Sequence, residues 1–468
     1  DDTASNSTDG SGTGNGGTSE CTHVWNDSYT VDVEADCTKE GQKSIHCSKC
    51  GDIKPDSVQK IEKLSHTGKQ TVTKATPSAD GKIVNKCSKC GTAISTTVIA
   101  RPKTVTLSAA AYTYNGKAKT PSVSVTDSSG KKLSSGNYTV SYSSGRKNVG
   151  RYNVKVTFKG NYSGSITKTF DIRPKTATLT RAFLNNKKLA VNWDKQSSQT
   201  TGYQIQYASD SRFTKSVKTT TVSKNSTTFK AISKVNGKKY YVRIRTYKKT
   251  SFGGKNVNIY SGWSKTKTAV KKKVVALTFD DGPGPKTGKP LNQLDKYNSH
   301  ATFFVVGNRV SRYKSTIKKM NSIGCEVGNH SYTHANLGRS SSKKIRSEIK
   351  KTNSKVKAIT KTNPVLMRPP YGSVSKTLKS KAGMPLIMWS IDTLDWKTKN
   401  SQKTINKVMK NVKDGDIVLM HDIHSATITA GVKLIPKLKK KGYELVTVSE
   451  MAAIKGVKLK KGGRYSKL

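Results

Sequence analysis

Leu277-Thr278-Phe279-Asp280-Asp281-Gly282-Pro283 sets two adjacent carboxylates where an apolar run, Val274-Val275-Ala276-Leu277, stops at a Gly-Pro turn. The run reads as a buried strand. Adjacent strand residues point to opposite faces, so one carboxylate can bind a metal while the other stays free as a base. A solvated Asp-Asp-Gly turn would explain the pair by itself, but more such clusters follow. In Glu326-Val327-Gly328-Asn329-His330-Ser331-Tyr332-Thr333-His334 two histidines stand four residues apart, so both imidazoles can reach one cation from a helical turn or tight loop. Then come Arg368-Pro369-Pro370-Tyr371-Gly372, Asp392-Thr393-Leu394-Asp395-Trp396 and Ile417-Val418-Leu419-Met420-His421. Two histidines and one carboxylate bind a divalent cation on one face and leave positions open for water and substrate. Metal-assisted hydrolysis with a carboxylate base is the chemistry these types allow. Which of Asp280 and Asp281 takes which role stays open at this level.

The elements that must position these groups are legible too. Each cluster follows a strand-like run, and Lys-rich helix-like segments lie between. Val274–Phe279 precedes a helical patch at Leu291–Tyr297, then Ala301–Val306; a helix over Ser341–Thr360 precedes Val365-Leu366-Met367. Such alternation gives a parallel sheet, and in a β/α barrel the C-terminal strand ends converge on one face. The domain is expected over residues 271–456, after the basic linker Lys271-Lys272-Lys273, with 457–468 as a basic tail. Cys325 reads as a buried free thiol, His424 as a surface histidine and Asp392 as structural.

On these five motifs residues 271–456 resemble the polysaccharide deacetylases of the NodB-homology type, carbohydrate esterase family 4. The resemblance implies an irregular (β/α) barrel that hydrolyses acetyl groups on a polysaccharide. It implies Asp281, His330 and His334 as ligands of one divalent ion, zinc by preference, with cobalt or another divalent ion as alternatives. It implies Asp280 as the base that takes a proton from water and the backbone amide of Tyr371 as an oxyanion donor. His421 would protonate the departing amine, kept charged by Asp395; Arg368 would orient Asp280. Trp396, Leu419 and Pro370 would line the acetyl pocket, although Leu419 fits equally as plain strand core.

Lys plus Arg outnumber Asp plus Glu by 85 to 29 in 468 residues, a net charge of +56. That surface seeks a polyanion, and anionic cell-wall polymers fit better than nucleic acid, for which no recognition motif is present. No stretch is long and apolar enough to span a membrane. The chain opens at Asp1-Asp2 without Met or a signal-peptide pattern, so an export signal or anchor is expected to have been removed. Location at a bacterial surface, or secretion, follows as the expectation. The sequons at Asn137 and Asn161 would be inert in a bacterium.

Ahead of the hydrolase-like region the chain reads as a string of modules. Residues 1–20, rich in Ser, Thr and Gly, form a flexible spacer. Residues 21–100 hold Cys21, Cys37, Cys47, Cys50, Cys87 and Cys90, with Cys47-Ser48-Lys49-Cys50-Gly51 repeated as Cys87-Ser88-Lys89-Cys90-Gly91. Thr38-Lys39-Glu40-Gly41 echoes Ala79-Asp80-Gly81, so two units of about forty residues are expected. The two knuckles suit a tetrahedral zinc site; an exported chain equally permits disulfides, Cys21 with Cys37 above all. The segment resembles Cys-rich repeats of bacterial surface proteins.

Residues 101–174 alternate β-branched and polar positions between turns at Asn115-Gly116 and Ser129-Gly130, a small sandwich resembling bacterial immunoglobulin-like domains. Residues 175–270, with Leu189-Ala190-Val191-Asn192-Trp193 and alternating Gly202–Tyr207 and Lys239–Tyr247, resemble a fibronectin type III domain whose aromatics are core. The fold class is thus β-sandwich modules followed by an α/β domain. The function expected is N-deacetylation of a cell-wall polysaccharide, peptidoglycan N-acetylglucosamine above all. The alternatives are a deacetylase of chitin or acetylated xylan, and a non-catalytic glycan-binding adhesin.

Overall fold

The computed structural model describes residues 20–468, so the spacer expected over 1–20 lies almost wholly outside the described residues. The chain divides into two compact units. One runs up to Ala110 and adds Thr120–Ser143 and Asn153–Thr169; the other holds Ala111–Lys119, Ser144–Tyr152 and Phe170–Leu468.

In the first unit the Cys-rich region forms two three-stranded antiparallel sheets, Thr30–Val33, Gly41–Ser44 and Gln59–Ile61, then Gly68–Thr73, Gly81–Cys87 and Ala93–Ile99. Strands this short bury little apolar surface, and many of their residues are exposed. Further on, Pro102–Leu107 pairs antiparallel with Val123–Asp127 around a core of Val105, Val125, Leu133, Tyr138, Val156 and Phe158.

In the second unit, Leu179–Asn185, Lys188–Trp193 and Phe229–Ile232 form one antiparallel sheet. Strands Gly202–Ala208, Lys218–Val222, Lys239–Phe252, Lys255–Tyr260 and Lys267–Val270 form another. Trp193, Tyr203, Ile205, Val242 and Ile244 fill the space between them, and stretches that alternate in sequence supply that filling by turning every second side chain inward.

The remainder is a mainly parallel α/β domain. Its central strand, Lys273–Asp280, pairs in parallel with Thr302–Val305, Asp416–His421 and Tyr443–Leu445, and Thr302–Val305 pairs onward with Glu326–Asn329. Single bridges continue from Asn329 to Met367 and from Met367 to Leu386. Val275, Leu277 and Phe279 join one cluster with the helices; Val274 and Ala276 join another on the opposite side. A strand covered on both faces reads as one apolar run rather than an alternation.

Residues beyond 456 belong to this architecture: Arg464–Tyr465 pairs with Leu386–Ile387, Lys467 bridges Asp416, and Leu459, Tyr465 and Leu468 pack on the core. The charge of the expected basic tail hides these three apolar residues.

The antiparallel sheet of Leu179–Asn185 packs Phe183 and Ala190 into the cluster of Val274, Ala276 and Met451. At its edge the Arg181 guanidinium donates to Leu445 O at 2.6 Å and lies 3.3 Å from Glu450 Oε2, while Asn192 Nδ2 donates to Glu450 Oε1 at 2.6 Å. Burial opposes charge on Glu450, but His300 and Arg181 hold its carboxyl down at about 2. Arg181→Ala removes one partner of a buried pair and is expected to lower stability by on the order of 3 kcal/mol, read as a shift in the urea midpoint. A change under about 0.5 kcal/mol would mean that water enters the network.

Candidate active site

Parallel register brings the site together. Asp280 lies opposite Phe304 on one side and His421 on the other, and Asn329, just before His330, lies opposite Val305. Four parallel strands, in the order Glu326–Asn329, Thr302–Val305, Lys273–Asp280 and Asp416–His421, therefore end on one face and deliver Asp280, His330 and His421 to it. Arg368 follows the Met367 bridge, and Asp395 follows the short strand Ile391–Asp392, which pairs in parallel with Asp416–His421.

The two aspartates part company at the strand end. Asp280, 3% exposed, shares the face of Thr278, and Arg368 Nη1 donates to Thr278 Oγ1 at 2.6 Å and to Asp280 Oδ1 at 2.8 Å. Asp281 leaves the strand with φ +68°. Its Oδ1 lies 3.2 Å from His330 Nε2 and 3.1 Å from His334 Nε2, whereas the nearest oxygen of Asp280 is 3.8 Å from His330. Geometry thus groups Asp281, not Asp280, with the histidines.

This trio fits a divalent cation. His330 Nδ1 lies 2.7 Å from Arg368 O, and a carbonyl only accepts, so that nitrogen carries the hydrogen. In the tautomer with hydrogen on Nδ1 alone, Nε2 keeps a lone pair directed toward Asp281. Asp281 Oδ1 is itself buried without a hydrogen-bond donor among the described residues. Lone pairs converging on one point, with a ring N–H anchored to a backbone carbonyl behind, are what a metal ligand set requires.

The other half of the site is an acid pair. His421 Nδ1 lies 2.9 Å from Asp395 Oδ1, and the His421 N–H donates to Asp395 Oδ2 at 2.7 Å. The Thr427 hydroxyl also donates to Asp395 Oδ2 at 2.6 Å, while the Thr393 hydroxyl, whose proton goes to Leu419 O at 2.7 Å, lies 3.1 Å from Asp395 Oδ1. Burial alone would push the His421 imidazole down; its hydrogen bond to Asp395 and the charges of Asp280, Asp395 and Asp281 raise it to about 9. Burial likewise opposes the Asp395 charge, and His421 holds that carboxyl below its ordinary value.

Around these groups the backbone is strained. Asp281, Ser331, His334, Tyr371 and Leu394 all adopt positive φ without being glycine, each at an order of 1–3 kcal/mol. Tyr371 is 70% exposed, and its hydroxyl lies 3.1 Å from His334 Nδ1. Pro370 is buried beside it. Trp396 is 49% exposed on the short helix Asp395–Thr398, while Leu419 is buried at 4% with its carbonyl accepting from Thr393. Asp392 caps a turn by accepting from the Leu394 N–H. His424, expected at the surface, is half-buried with its ring 6.5 Å from that of His421.

Sequence reasoning passed over several supporting residues. Glu348 accepts from the Tyr332 and Thr333 N–H groups at 2.7 and 2.8 Å and so holds the loop between the two histidines. Its one trace in the sequence is an acid on the apolar side of a Lys-rich helix. Asp422 is fully buried, accepts from the Thr287 hydroxyl, and is pushed up to about 7 by burial with Asp281 and Asp280 nearby. Trp389 and Phe304 stack on the Arg368 guanidinium at 5.6 and 4.4 Å. Nothing local in the sequence marks either aromatic.

The seven cysteines are all free, Cys325 buried among them. Cys21 and Cys37, weighed above as a disulfide, sit in different side-chain clusters.

Residues 267–386 match the polysaccharide deacetylase family model, and residues 103–176 match that of the MBG domain. The peptidoglycan-N-acetylmuramic acid deacetylase PdaC of Bacillus subtilis is 43% identical over 185 residues, 39% of this chain and 40% of that protein. The peptidoglycan-N-acetylglucosamine deacetylase PgdA of Listeria monocytogenes is 42% identical over 198 residues, 42% of each. A peptidoglycan-N-acetylglucosamine deacetylase of Bacillus cereus is 40% identical over 194 residues, 39% of this chain and 90% of that protein. The chain spans about two fifths of the length of the first two relatives.

Proposed function

The chain belongs to the polysaccharide deacetylase family, and we propose that it is a metal-dependent hydrolase removing N-acetyl groups from peptidoglycan N-acetylglucosamine at a bacterial surface. The observation that carries the reading is the separation of roles between the neighbouring carboxylates, Asp281 toward two histidines and Asp280 toward Arg368. A ligand-binding module without catalysis has no use for a free base facing an acid pair.

Asp281, His330 and His334 would hold the ion, zinc by preference. When bound, it supplies a Lewis acid that acidifies water and polarises a carbonyl. Arg368 fixes Asp280 Oδ1 and leaves Oδ2 to take a proton from the attacking water. The water oxygen bonds to the acetyl carbon, with the Tyr371 amide as a donor to the oxygen that becomes charged. Protonated His421 then delivers its proton to the sugar nitrogen, the carbon–nitrogen bond breaks, and acetate and a free amine leave. Trp396, Leu419 and Pro370 would wall the acetyl group. The strand order, continued through Met367 and the C-terminal residues, supports reading the domain as an irregular (β/α) barrel.

Two of the three relatives described above are named for peptidoglycan N-acetylglucosamine. A net charge of +56 favours a wall rich in phosphate polymers and should hold the enzyme there less firmly as salt rises. The modules ahead of the hydrolase, the segment 175–270 as a fibronectin type III domain among them, would act as spacers.

The test is acetate release from isolated peptidoglycan, chitin oligomers and acetyl-xylan at equal acetyl content, with and without chelator. Peptidoglycan is expected to be preferred, with the new amine on glucosamine and activity abolished by chelator. Preference for chitin or xylan would overturn the substrate, and chelator-insensitive release would overturn the metal.

A further inference from the structure

We infer that residues 21–100 hold two separate structural zinc ions, each on three thiolates and one imidazole, and that the second ion takes one ligand from the first repeat. Cys21, His23, Cys47 and Cys50 form one tetrad; Cys37, His66, Cys87 and Cys90 form the other, the four ligand atoms of each lying within 4.8 Å of one another. The two Cys-x-x-Cys knuckles therefore do not join in one four-cysteine site, as their repetition first suggests.

The distances suit a shared ion and not a disulfide. Cys37 Sγ lies 3.6 Å from Cys87 Sγ, against about 2.05 Å for a bonded pair. Zinc–sulfur bonds of about 2.3 Å set tetrahedral sulfur–sulfur edges near 3.8 Å. Cys50 Sγ lies 3.2 Å from His23 Nδ1, and Cys90 Sγ lies 3.5 Å from His66 Nδ1. Three thiols in a cluster also cannot all pair as disulfides, and a disulfide framework has no call for a histidine at the same place in each.

The exchange of a ligand follows from matching the repeats through their backbone. Gly51 N–H bonds to Cys47 O at 2.9 Å, as Gly91 N–H does to Cys87 O. Both glycines have φ near +80°, which lets the chain turn back beneath the metal ligands. Ser48 N–H bonds to Val24 O as Ser88 N–H bonds to Thr67 O, which equates His23 with His66 and Cys21 with Leu64. Asp36 N–H bonds to Lys39 O as Thr76 N–H bonds to Ala79 O, which equates Cys37 with Pro77. The second repeat thus lacks a counterpart to Cys21, having Leu64 there. Leu64 N–H bonds to Asp36 O at 3.1 Å, and that contact brings Cys37, which has no ligand counterpart in the second repeat, to the place of the missing thiol. The second ion is a clasp between the repeats, where short and largely exposed strands offer little hydrophobic surface to do the same.

The test counts zinc on the full chain carrying His330→Ala, which weakens the hydrolase site, after equilibration with Zn²⁺ and desalting. About two ions per chain are expected, about one after Cys47→Ser, and none after Cys47→Ser with Cys37→Ser. One ion remaining in that last variant would place Cys37 in the first site and overturn the exchange. A single ion per chain before the cysteine changes would indicate the shared four-cysteine site. Because cysteine variants can misfold, the chain with its cysteines intact is also titrated with Co²⁺, whose thiolate charge-transfer band should saturate at two ions with three thiolates each. Zinc-free protein with fewer than seven titratable thiols under denaturant would mean disulfides, and a reduced chain that takes up no Co²⁺ would equally overturn the assignment.

Discussion

Asp280→Asn is expected to lower acetate release by about 10²–10⁴-fold while the ion stays bound. The amide keeps the shape of the carboxylate and can still accept from Arg368 Nη1, now at 2.8 Å from Oδ1, but it cannot take a proton from water. Arg368 is fully buried and keeps its bonds to Thr278 Oγ1, Ile387 O and Met388 O. The variant therefore retains most of the frame that holds the site, though it loses the counter-charge to a buried guanidinium. Metal content by elemental analysis, a melting curve and single-substrate kinetics on the same preparation separate the effects. Loss of the ion from Asp280→Asn together with its retention in Asp281→Asn would reverse the two assignments.

His421→Ala should cost a similar factor, about 10²–10⁴-fold, with no loss of ion, since His421 lies outside the ligand trio. The wild-type pH profile carries the sharper statement. The imidazole must be charged to protonate the leaving amine, and its value is raised from 6.5 to about 9. Activity should then persist through neutral pH and fall as pH rises through the folded value. One contributor to that raised value is the charge of Asp281, which a bound cation offsets, so the basic limb is expected somewhat below 9. Asp395→Asn removes the main raising partner and should move the limb to lower pH. A wild-type profile flat to pH 10, or a limb unmoved by Asp395→Asn, would remove His421 from the acid role.

Much of the candidate active site can be read in the chain because its residues sit at the ends of buried parallel strands. An apolar run ended by Asp280-Asp281, and another ended by His421, mark both the strand and its functional end. Less could be read where a residue works from a distance in sequence. Glu348 reaches the loop of His330 and His334 from a helix, and Trp389 and Phe304 cover Arg368 from separate strands and turns; none has a local pattern of its own. The six N-terminal cysteines stood out as a repeat, but their partition did not, because His23, His66 and Cys37 join the knuckles only once the sheets bring distant turns together.

Local information in the sequence, the residue types and their period, determined the alternation of strands and helices, the inventory of chemical groups and the kind of reaction they allow. It could not distinguish Asp280 from Asp281, since two adjacent carboxylates differ only in direction. That direction comes from the left-handed turn at Asp281 and from Arg368, 88 residues away, which claims Asp280. In the same way the sequence holds six cysteines and a repeated knuckle, while the hydrogen bond from Leu64 to Asp36 determines which repeat Cys37 serves. Composition and period are properties of neighbours along the chain; the pairing of a charge or a thiol with its partner depends on long-range packing, which only the folded backbone specifies.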